Sequence, residues 1–364
     1  MKNLQHRREV LKTLSLAVGS TLFSPSVWAN ESKKLGVALV GLGNYSTNQL
    51  APALQLTQYC RLAGIVTGSP DKAKVWMEKY QIPSQNVYNY QNFDDIKNNP
   101  DIDIVYVVLP NSMHHEFTIR AAKAGKHVIC EKPLALNPQQ AKEMIAACQQ
   151  AKVRFSVGYR LYFEPHHLEV RRLGVEKVLG AVKMMETSLG FSMADPTSWR
   201  LNKQLGGGGA IMDLGVYAIQ GARRTIGEDP VRVTAQAYVR DTAVFKGIYE
   251  TVQFQMEFPG GAISNSTTTY TSYVDRLYAT TGYQWFGLQP SFNATGAKGE
   301  SSEGKIEFQT PPFQQIRQMD DFADCILNNK PSVATPEEGL KDLQIIEAIL
   351  KAAQTGKHAD VNYG

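Results

Sequence analysis

Leu35-Gly36-Val37-Ala38-Leu39-Val40-Gly41-Leu42-Gly43-Asn44-Tyr45-Ser46 is the stretch that decides the fold. Gly36 to Val40 reads as a buried strand, a short apolar run closed by turn residues. The turn Gly41-x-Gly43-x-x-Ser46 follows, and Thr47 to Gln58 reads as a helix. Strand, glycine turn and helix in that order open a βαβ unit of the dinucleotide-binding kind. The two glycines allow a tight turn and close approach of a pyrophosphate, whose charge a helix N-terminus favours. Ser46 stands in place of the third glycine of that pattern and is small enough for the helix to pack near the sheet. Gly41, Gly43, Asn44 and Tyr45 are therefore expected to face a cofactor.

The alternation continues outward from there. Further strands are predicted at Arg61–Val66, Asp103–Leu109, Val128–Cys130 and Phe155–Gly158. Helices are predicted at Pro70–Tyr80, at Ser112–Ala124, and at Pro138–Ala151 behind the cap Asn137. Strands alternating with helices at this spacing predict a doubly wound parallel sheet, a Rossmann domain, over residues 35–158. After Tyr159 the texture changes. Ala181–Ser188, Val231–Arg240, Glu250–Phe258 and Ala262–Tyr270 are longer alternating runs rich in Val, Thr, Tyr and Phe. They predict a C-terminal α+β domain over residues 159–364 with a large open, mainly antiparallel sheet. Helices are expected at Ala210–Ile226, Gln314–Asn328 and Pro336–Thr355, and residues 284–305 read as an irregular loop.

Composition narrows the function classes. The chain has 364 residues and a formal net charge of +4. Lys2, Arg7, Arg8 and Lys12 outweigh Glu9 within residues 1–29. The remainder holds 34 basic and 33 acidic residues, so no basic face argues for nucleic acid. Arg7-Arg8-Glu9-Val10-Leu11-Lys12, the apolar stretch Thr13–Phe23 and Val27-Trp28-Ala29 line up as a twin-arginine export signal with a cleavage site. That stretch is too short for a stable membrane anchor. The reading is export of a folded, cofactor-loaded protein to the periplasm by the twin-arginine machinery. Cys60, Cys130, Cys148 and Cys325 show neither C-x-x-C nor zinc spacing. The adjacent pairs His114-His115 and His166-His167 cannot share a face, so no metal site is expected.

The ends of the predicted strands carry the chemistry. No carboxylate ends the second strand, where one would bind the ribose 2′-hydroxyl of NAD. Thr67 and Ser69 offer hydroxyls there, and Lys72 offers positive charge to a 2′-phosphate. NADP is the expected cofactor, although Ser69 also suits the cap of the helix after it. Pro110, Asn111 and His114 leave the third strong strand at the cofactor edge. Asn111 either lines the nicotinamide ribose or caps the next helix, and His114 is placed beside it. Gly125-Lys126-His127-Val128-Ile129-Cys130-Glu131-Lys132-Pro133 puts Glu131 and Lys132 at the edge where open sheets bind ligands. Proline ends the strand at that point.

The second informative run is Leu205-Gly206-Gly207-Gly208-Gly209-Ala210-Ile211-Met212-Asp213-Leu214-Gly215-Val216-Tyr217. The glycines let backbone approach a ligand, and Asp213 and Tyr217, four apart, share a helical face. With Lys132 across a cleft they form a proton-handling set. Without it they read as an acid near a helix N-terminus and a core tyrosine.

These motifs, with Gly158-Tyr159-Arg160 and Trp199-Arg200 between them, resemble in order the glucose–fructose oxidoreductase and inositol dehydrogenase family. Tyr217, where many members carry histidine, makes the chain most similar to the glucose–fructose oxidoreductase branch. The resemblance implies a cofactor lying between two domains, with Lys132, Asp213 and Tyr217 around a sugar. It implies that Tyr217 takes the C1 hydroxyl proton while Lys132 supplies the cation that such a base needs, since a free phenol titrates near about 10. Asp213 would orient sugar hydroxyls, and Arg160, Trp199 and Arg200 would line cofactor or sugar. It also implies a bound NADP reduced by one sugar and reoxidised by a second, and a homodimer or homotetramer. An aldose 1-dehydrogenase with exchangeable NADP and an NAD-dependent redox-elimination glycosidase are the alternatives. Tyr273, Arg276, Tyr278 and Tyr283 are candidate sugar contacts.

Overall fold

Val37, Ala38, Leu39 and Val40 are wholly buried, as a central strand covered on both faces requires. Their side chains alternate between two cores. Val37 and Leu39 face Leu50, Trp76, Met319 and Phe322, while Ala38 and Val40 belong with Phe117 and Met144. In the computed structural model, which describes Lys34–Gly364, this strand is β1 (Leu35–Val40) of a six-stranded parallel sheet. The others are β2 (Cys60–Val66), β3 (Val87–Tyr88), β4 (Ile104–Val107), β5 (His127–Cys130) and β6 (Phe155–Val157). Their spatial order is β3-β2-β1-β4-β5-β6. The order reverses between β1 and β4, which places the ligand crevice at the carboxyl ends of those strands. The export signal expected over residues 1–29 lies outside the described residues.

The second sheet has nine strands: β7 (Met184–Gly190), β8 (Arg232–Tyr238), β9 (Thr251–Glu257), β10 (Ile263–Thr269), β11 (Val274–Thr280), β12 (Trp285–Leu288), β13 (Gly299–Ser301), β14 (Gly304–Ile306) and β15 (Ala359–Asp360). They run in the order β14-β13-β12-β11-β7-β10-β9-β8-β15. All pairs are antiparallel save β7 with β10, which is parallel. Helices Val216–Ile226 and Pro336–Thr355 pack on one face. The other face presents Thr234, Gln236, Gln253, Gln255 and Asn265.

Two expectations need correction, and two elements were not foreseen. Residues 284–305 are not an irregular loop, because they carry β12, β13 and part of β14. These strands are too short, and too rich in Gly and Ser, to show alternation. β11 was hidden because Asp275 points inward, where it accepts the Ser291 N–H at 2.8 Å and the Phe292 N–H at 2.7 Å. Helix Pro165–Val175 was missed because two of its buried residues are His166 and His167. The helix expected over 47–58 is shorter: a π-helical turn at Ser46–Leu50, then Ala51–Leu54. Helix Gln315–Leu327 crosses back to the first sheet, where the Cys60 thiol donates to Met319 O and Asp320 accepts the Tyr59 N–H at 2.8 Å. The four cysteines are buried and free. Among the described residues no helix is long and apolar enough to cross a membrane.

Candidate active site

The turns after β1, β2, β4 and β5 open into one cleft of about 800 Å³, closed on the far side by residues 195–200 and the glycine-run helix. Gly41 has φ +97°, and a Cβ there would lie 2.5 Å from the Val108 carbonyl oxygen. A Cβ on Gly43 would meet nothing within 4 Å, so the space above it is open to a ligand. The Ser46 hydroxyl, fully buried, donates to Gly41 O at 2.6 Å and draws the helix onto the turn. A close-approach glycine beside a helix N-terminus fits a dinucleotide pyrophosphate. Asn44 and Tyr45 line the same wall, and the Tyr45 phenol, pushed up by burial, accepts from Gln315 Nε2 at 2.9 Å.

At the end of β2 both readings of Ser69 hold. Its hydroxyl accepts the Lys72 N–H at 3.4 Å and caps helix Pro70–Tyr80, yet Thr67, Ser69 and Lys72 all line the cleft. Lys72 Nζ folds back to Leu42 O at 3.4 Å, which puts a cation over the glycine turn. Tyr90 closes this end, its ring 3.0 Å from where a Cβ on Gly68 would lie. Nothing in the sequence pointed to Tyr90.

At the end of β4, Pro110 is the residue that precedes helix Asn111–Lys123, and no side chain caps it. Asn111 lines the cleft and donates from Nδ2 to Gly206 O at 2.9 Å, so it does not act as the cap. His114 reaches the cleft wall, but its polar atoms do not. Its Nδ1 lies 2.9 Å from Pro133 O and its Nε2 2.9 Å from Leu109 O, on a ring 1% exposed. Burial pulls this imidazole below its usual range against those backbone bonds. His114 therefore clips together the turns that carry Pro110 and Lys132. Its ring lines the cleft beside Asn111, with both nitrogens turned to backbone carbonyls.

At the end of β5, Glu131 is buried and its Oε1 accepts the Tyr106 O–H at 2.7 Å. Tyr106 in turn accepts from Gln318 Nε2 at 2.7 Å. Burial raises the Glu131 carboxyl, with Tyr106 and Lys132 opposing. Gly158 makes room for it, since a Cβ there would lie 2.4 Å from Glu131 Oε1.

Lys132 and the glycine-run helix meet across the cleft. Lys132 Nζ donates to Asp213 O at 2.9 Å and to Asp213 Oδ1 at 3.1 Å. It also stands 4.6 Å from the centroid of the Tyr217 ring. Asp213 Oδ2 accepts from Arg200 Nε and from the Tyr270 O–H, each at 3.0 Å. Burial pushes the Asp213 carboxyl up, but Lys132 and Arg200 outweigh it and hold it at about 2. Burial pulls Lys132 down, and Tyr217, Asp213 and Glu131 hold it above its ordinary value. Arg200 also stacks on Trp199, 4.6 Å from its centroid.

Arg160 is displaced from its expected place. It does not line the cleft. It is buried against Tyr217, 5.2 Å from the ring centroid, and donates to Phe292 O at 2.5 Å and to the Gln314 side chain. The candidate sugar contacts are displaced too. Arg276 pairs with Glu186 at 3.1 Å and Tyr278 stacks on Trp285 at 5.5 Å, while Tyr273 and Tyr283 are exposed. The pleat of β11 sends Leu277 and Ala279 to the core, and hence Arg276 and Tyr278 to the other face. Residues that sequence reasoning missed are Tyr270, bonded to Asp213, and the rim residues Asp195, Thr197 and Ser198.

Residues 35–159 match an oxidoreductase family with an NAD-binding Rossmann fold, and residues 167–301 match the GFO/IDH/MocA C-terminal domain. The chain belongs to the GFO/IDH/MocA oxidoreductase family. Among solved structures, aldose-aldose oxidoreductase from Caulobacter crescentus is 39% identical with a TM-score of 0.88, over 90% of this chain and 100% of that one. The NADP-dependent D-xylose 1-dehydrogenase of Haloarcula marismortui is 27% identical over 87% of this chain and 91% of its own length. The 1,5-anhydro-D-fructose reductase of Ensifer adhaerens is 26% identical over 74% and 83%. In this GFO/IDH/MocA protein the Gly41 turn, Lys132 and the Asp213 helix thus meet at a cleft suited to a nicotinamide cofactor, and the protein is an NAD(P)-dependent oxidoreductase.

Proposed function

We propose that this protein oxidises an aldose at C1 to the lactone with NADP, and that a second sugar is reduced on the same bound cofactor. The observation that carries this reading is the Lys132 ammonium bonded to Asp213 while standing over the Tyr217 ring at the cofactor edge. The sugar-acting relatives support the substrate class, and the first of them, named for two aldoses, supports the pairing of two sugars.

NADP, when bound, supplies the acceptor for the C1 hydride. Gly41, Gly43 and the helix after them would hold its pyrophosphate, and Ser69 and Lys72 its 2′-phosphate. Lys132 and Arg160 place positive charge beside the Tyr217 oxygen, which as the phenolate takes the C1 hydroxyl proton and is left as the neutral phenol. Asp213, held ionised, fixes the Lys132 ammonium and accepts from sugar hydroxyls. In the reverse direction Tyr217 returns the proton to the second sugar, so one residue serves both halves.

Two steps test this reading. Denaturing the purified protein is expected to release NADP, and an aldose plus a second sugar is expected to turn over without added cofactor. Turnover only with added NADP would remove the coupled half, and lack of aldose oxidation under any condition would remove the whole. Tyr217→Phe is expected to lower kcat by about 10²-fold or more with cofactor still bound. Export to the periplasm by the twin-arginine route belongs to this proposal, as does assembly into a homodimer or homotetramer. Cell fractionation and light scattering test them.

A further inference from the structure

We propose that Asp342, on helix Pro336–Thr355 and outside the cleft, is a positioning residue that sets Arg160 against Tyr217. This inference rests on the reading above, in which Tyr217 exchanges the proton.

Asp342 is 1% exposed and accepts from three donors. Its Oδ1 accepts from Arg223 Nη1 at 2.8 Å. Its Oδ2 takes Gln220 Nε2 at 2.5 Å and the Tyr159 O–H. Tyr159 directly precedes Arg160. Gln220 follows Tyr217 by three residues on the same helix, so both lie on one face of it. One carboxylate therefore holds the segment bearing Arg160 and the helix bearing Tyr217. The Tyr162 O–H joins the same group by donating to Gln220 Oε1 at 2.6 Å.

The surrounding charges fix Asp342 in turn. Arg223 also donates to Asp229 at 2.5 Å and Glu338 at 2.9 Å, and Lys341 reaches Asp229 at 2.7 Å and Glu338 at 3.3 Å. Arg224 lies 3.5 Å from the centroid of the Tyr162 ring, and Tyr363 approaches from the C-terminus. A carboxylate only accepts. Protonating it, or replacing it by an amide, turns an acceptor into a donor that faces Tyr159, Gln220 or Arg223. Burial pushes this carboxyl up to about 6 despite Arg223, Gln220 and Tyr159, so the change falls within the usual assay range.

The test compares wild type, Asp342→Asn and Tyr159→Phe as purified full chains, with kcat, KM and NADP affinity measured from pH 5 to pH 9. Asp342→Asn is expected to lower kcat by about 10- to 100-fold, with NADP affinity within about threefold of wild type. The wild-type acid limb near pH 6 is expected to vanish in it. Tyr159→Phe, which keeps the charge, is expected to lower kcat by a smaller factor and to keep that limb. A kcat for Asp342→Asn within twofold of wild type overturns the proposal. So does a loss matched by an equal loss of folded protein or bound NADP. If Asp342→Asn does not fold, Tyr159→Phe decides, and an unchanged kcat there overturns it. Absence of sugar turnover in the wild type overturns the functional reading and this proposal with it. Wild-type turnover with insensitive variants overturns this proposal alone.

Discussion

The Lys132 ammonium stands 4.6 Å from the centre of the Tyr217 ring, yet its hydrogens go to the carboxylate and backbone carbonyl of Asp213. The side chains of Lys132 and Asp213 are each only 12% exposed. At that burial a charge pair is costly unless both partners are hydrogen-bonded, and here Arg200 and Tyr270 complete the shell of Asp213. The pair is thus built to hold a cation still beside a phenol.

Removing the cation should cost rate, along with part of the stability that the pair with Asp213 contributes. Lys132→Ala leaves Asp213 with Arg200 and Tyr270 and leaves the Tyr217 ring facing Arg160 alone. The kcat/KM for sugar oxidation should fall by about 10²- to 10⁴-fold, with NADP still retained as read by its fluorescence after reduction. A loss under tenfold would show that Arg160 suffices.

Asp213 should leave a mark on acid stability. Its carboxyl sits at about 2 in the folded chain against an ordinary value of 3.8. A depressed acid stabilises the fold above its unfolded pKa, and that contribution is lost as pH falls through the folded pKa. About 2 kcal/mol should therefore disappear between roughly pH 4 and pH 2. Urea unfolding of wild type and Asp213→Asn across that window checks it, and the variant curve should be flatter there.

Cofactor preference should turn on the end of β2. Lys72 lies over the glycine turn and Ser69 is its nearest hydroxyl partner in sequence. Ser69→Asp with Lys72→Ala should lower kcat/KM or affinity for NADP by about 10- to 100-fold, because it replaces a cation and a hydroxyl by a charge that repels phosphate. Affinity for NAD should hold or rise. Calorimetry on the cofactor-stripped protein measures both, and equal losses for the two cofactors would contradict the assignment.

Gly158→Ala tests the bed under Glu131. The added methyl would lie 2.4 Å from Glu131 Oε1, so the carboxyl must turn away from Tyr106. A buried group that loses its partner costs about 1–3 kcal/mol. Thermal unfolding should report that loss, and Gly158→Ser should be no better.

Much of the fold could be read from the chain because the first sheet is built from local signals. Gly41, Pro70, Asn137 and Pro336 mark strand and helix ends with chemistry that acts within a few residues. Lys132, Asp213 and Tyr217 were legible for the same reason, each standing in a distinctive run. Tyr270 was not. It reaches Asp213 because β10 lies parallel to β7, and strand register is set by long-range pairing that no local pattern records. Arg160 misled because a motif position tells which residues are near a cofactor, not which way a guanidinium turns. It faces Tyr217, Gln314 and Phe292, the last two more than a hundred residues downstream.

Asn111 joins the first sheet to the glycine run at Gly206 O, and Lys132 joins the same two walls again at Asp213. Walls fastened twice cannot part like jaws without breaking both links. A further side of the cleft is lined by the exposed Asp195 and Thr197 and by Ser198, which neither link involves. Substitutions at that side are expected to change how fast a ligand is released, read by stopped-flow release kinetics, without touching a residue that handles the proton.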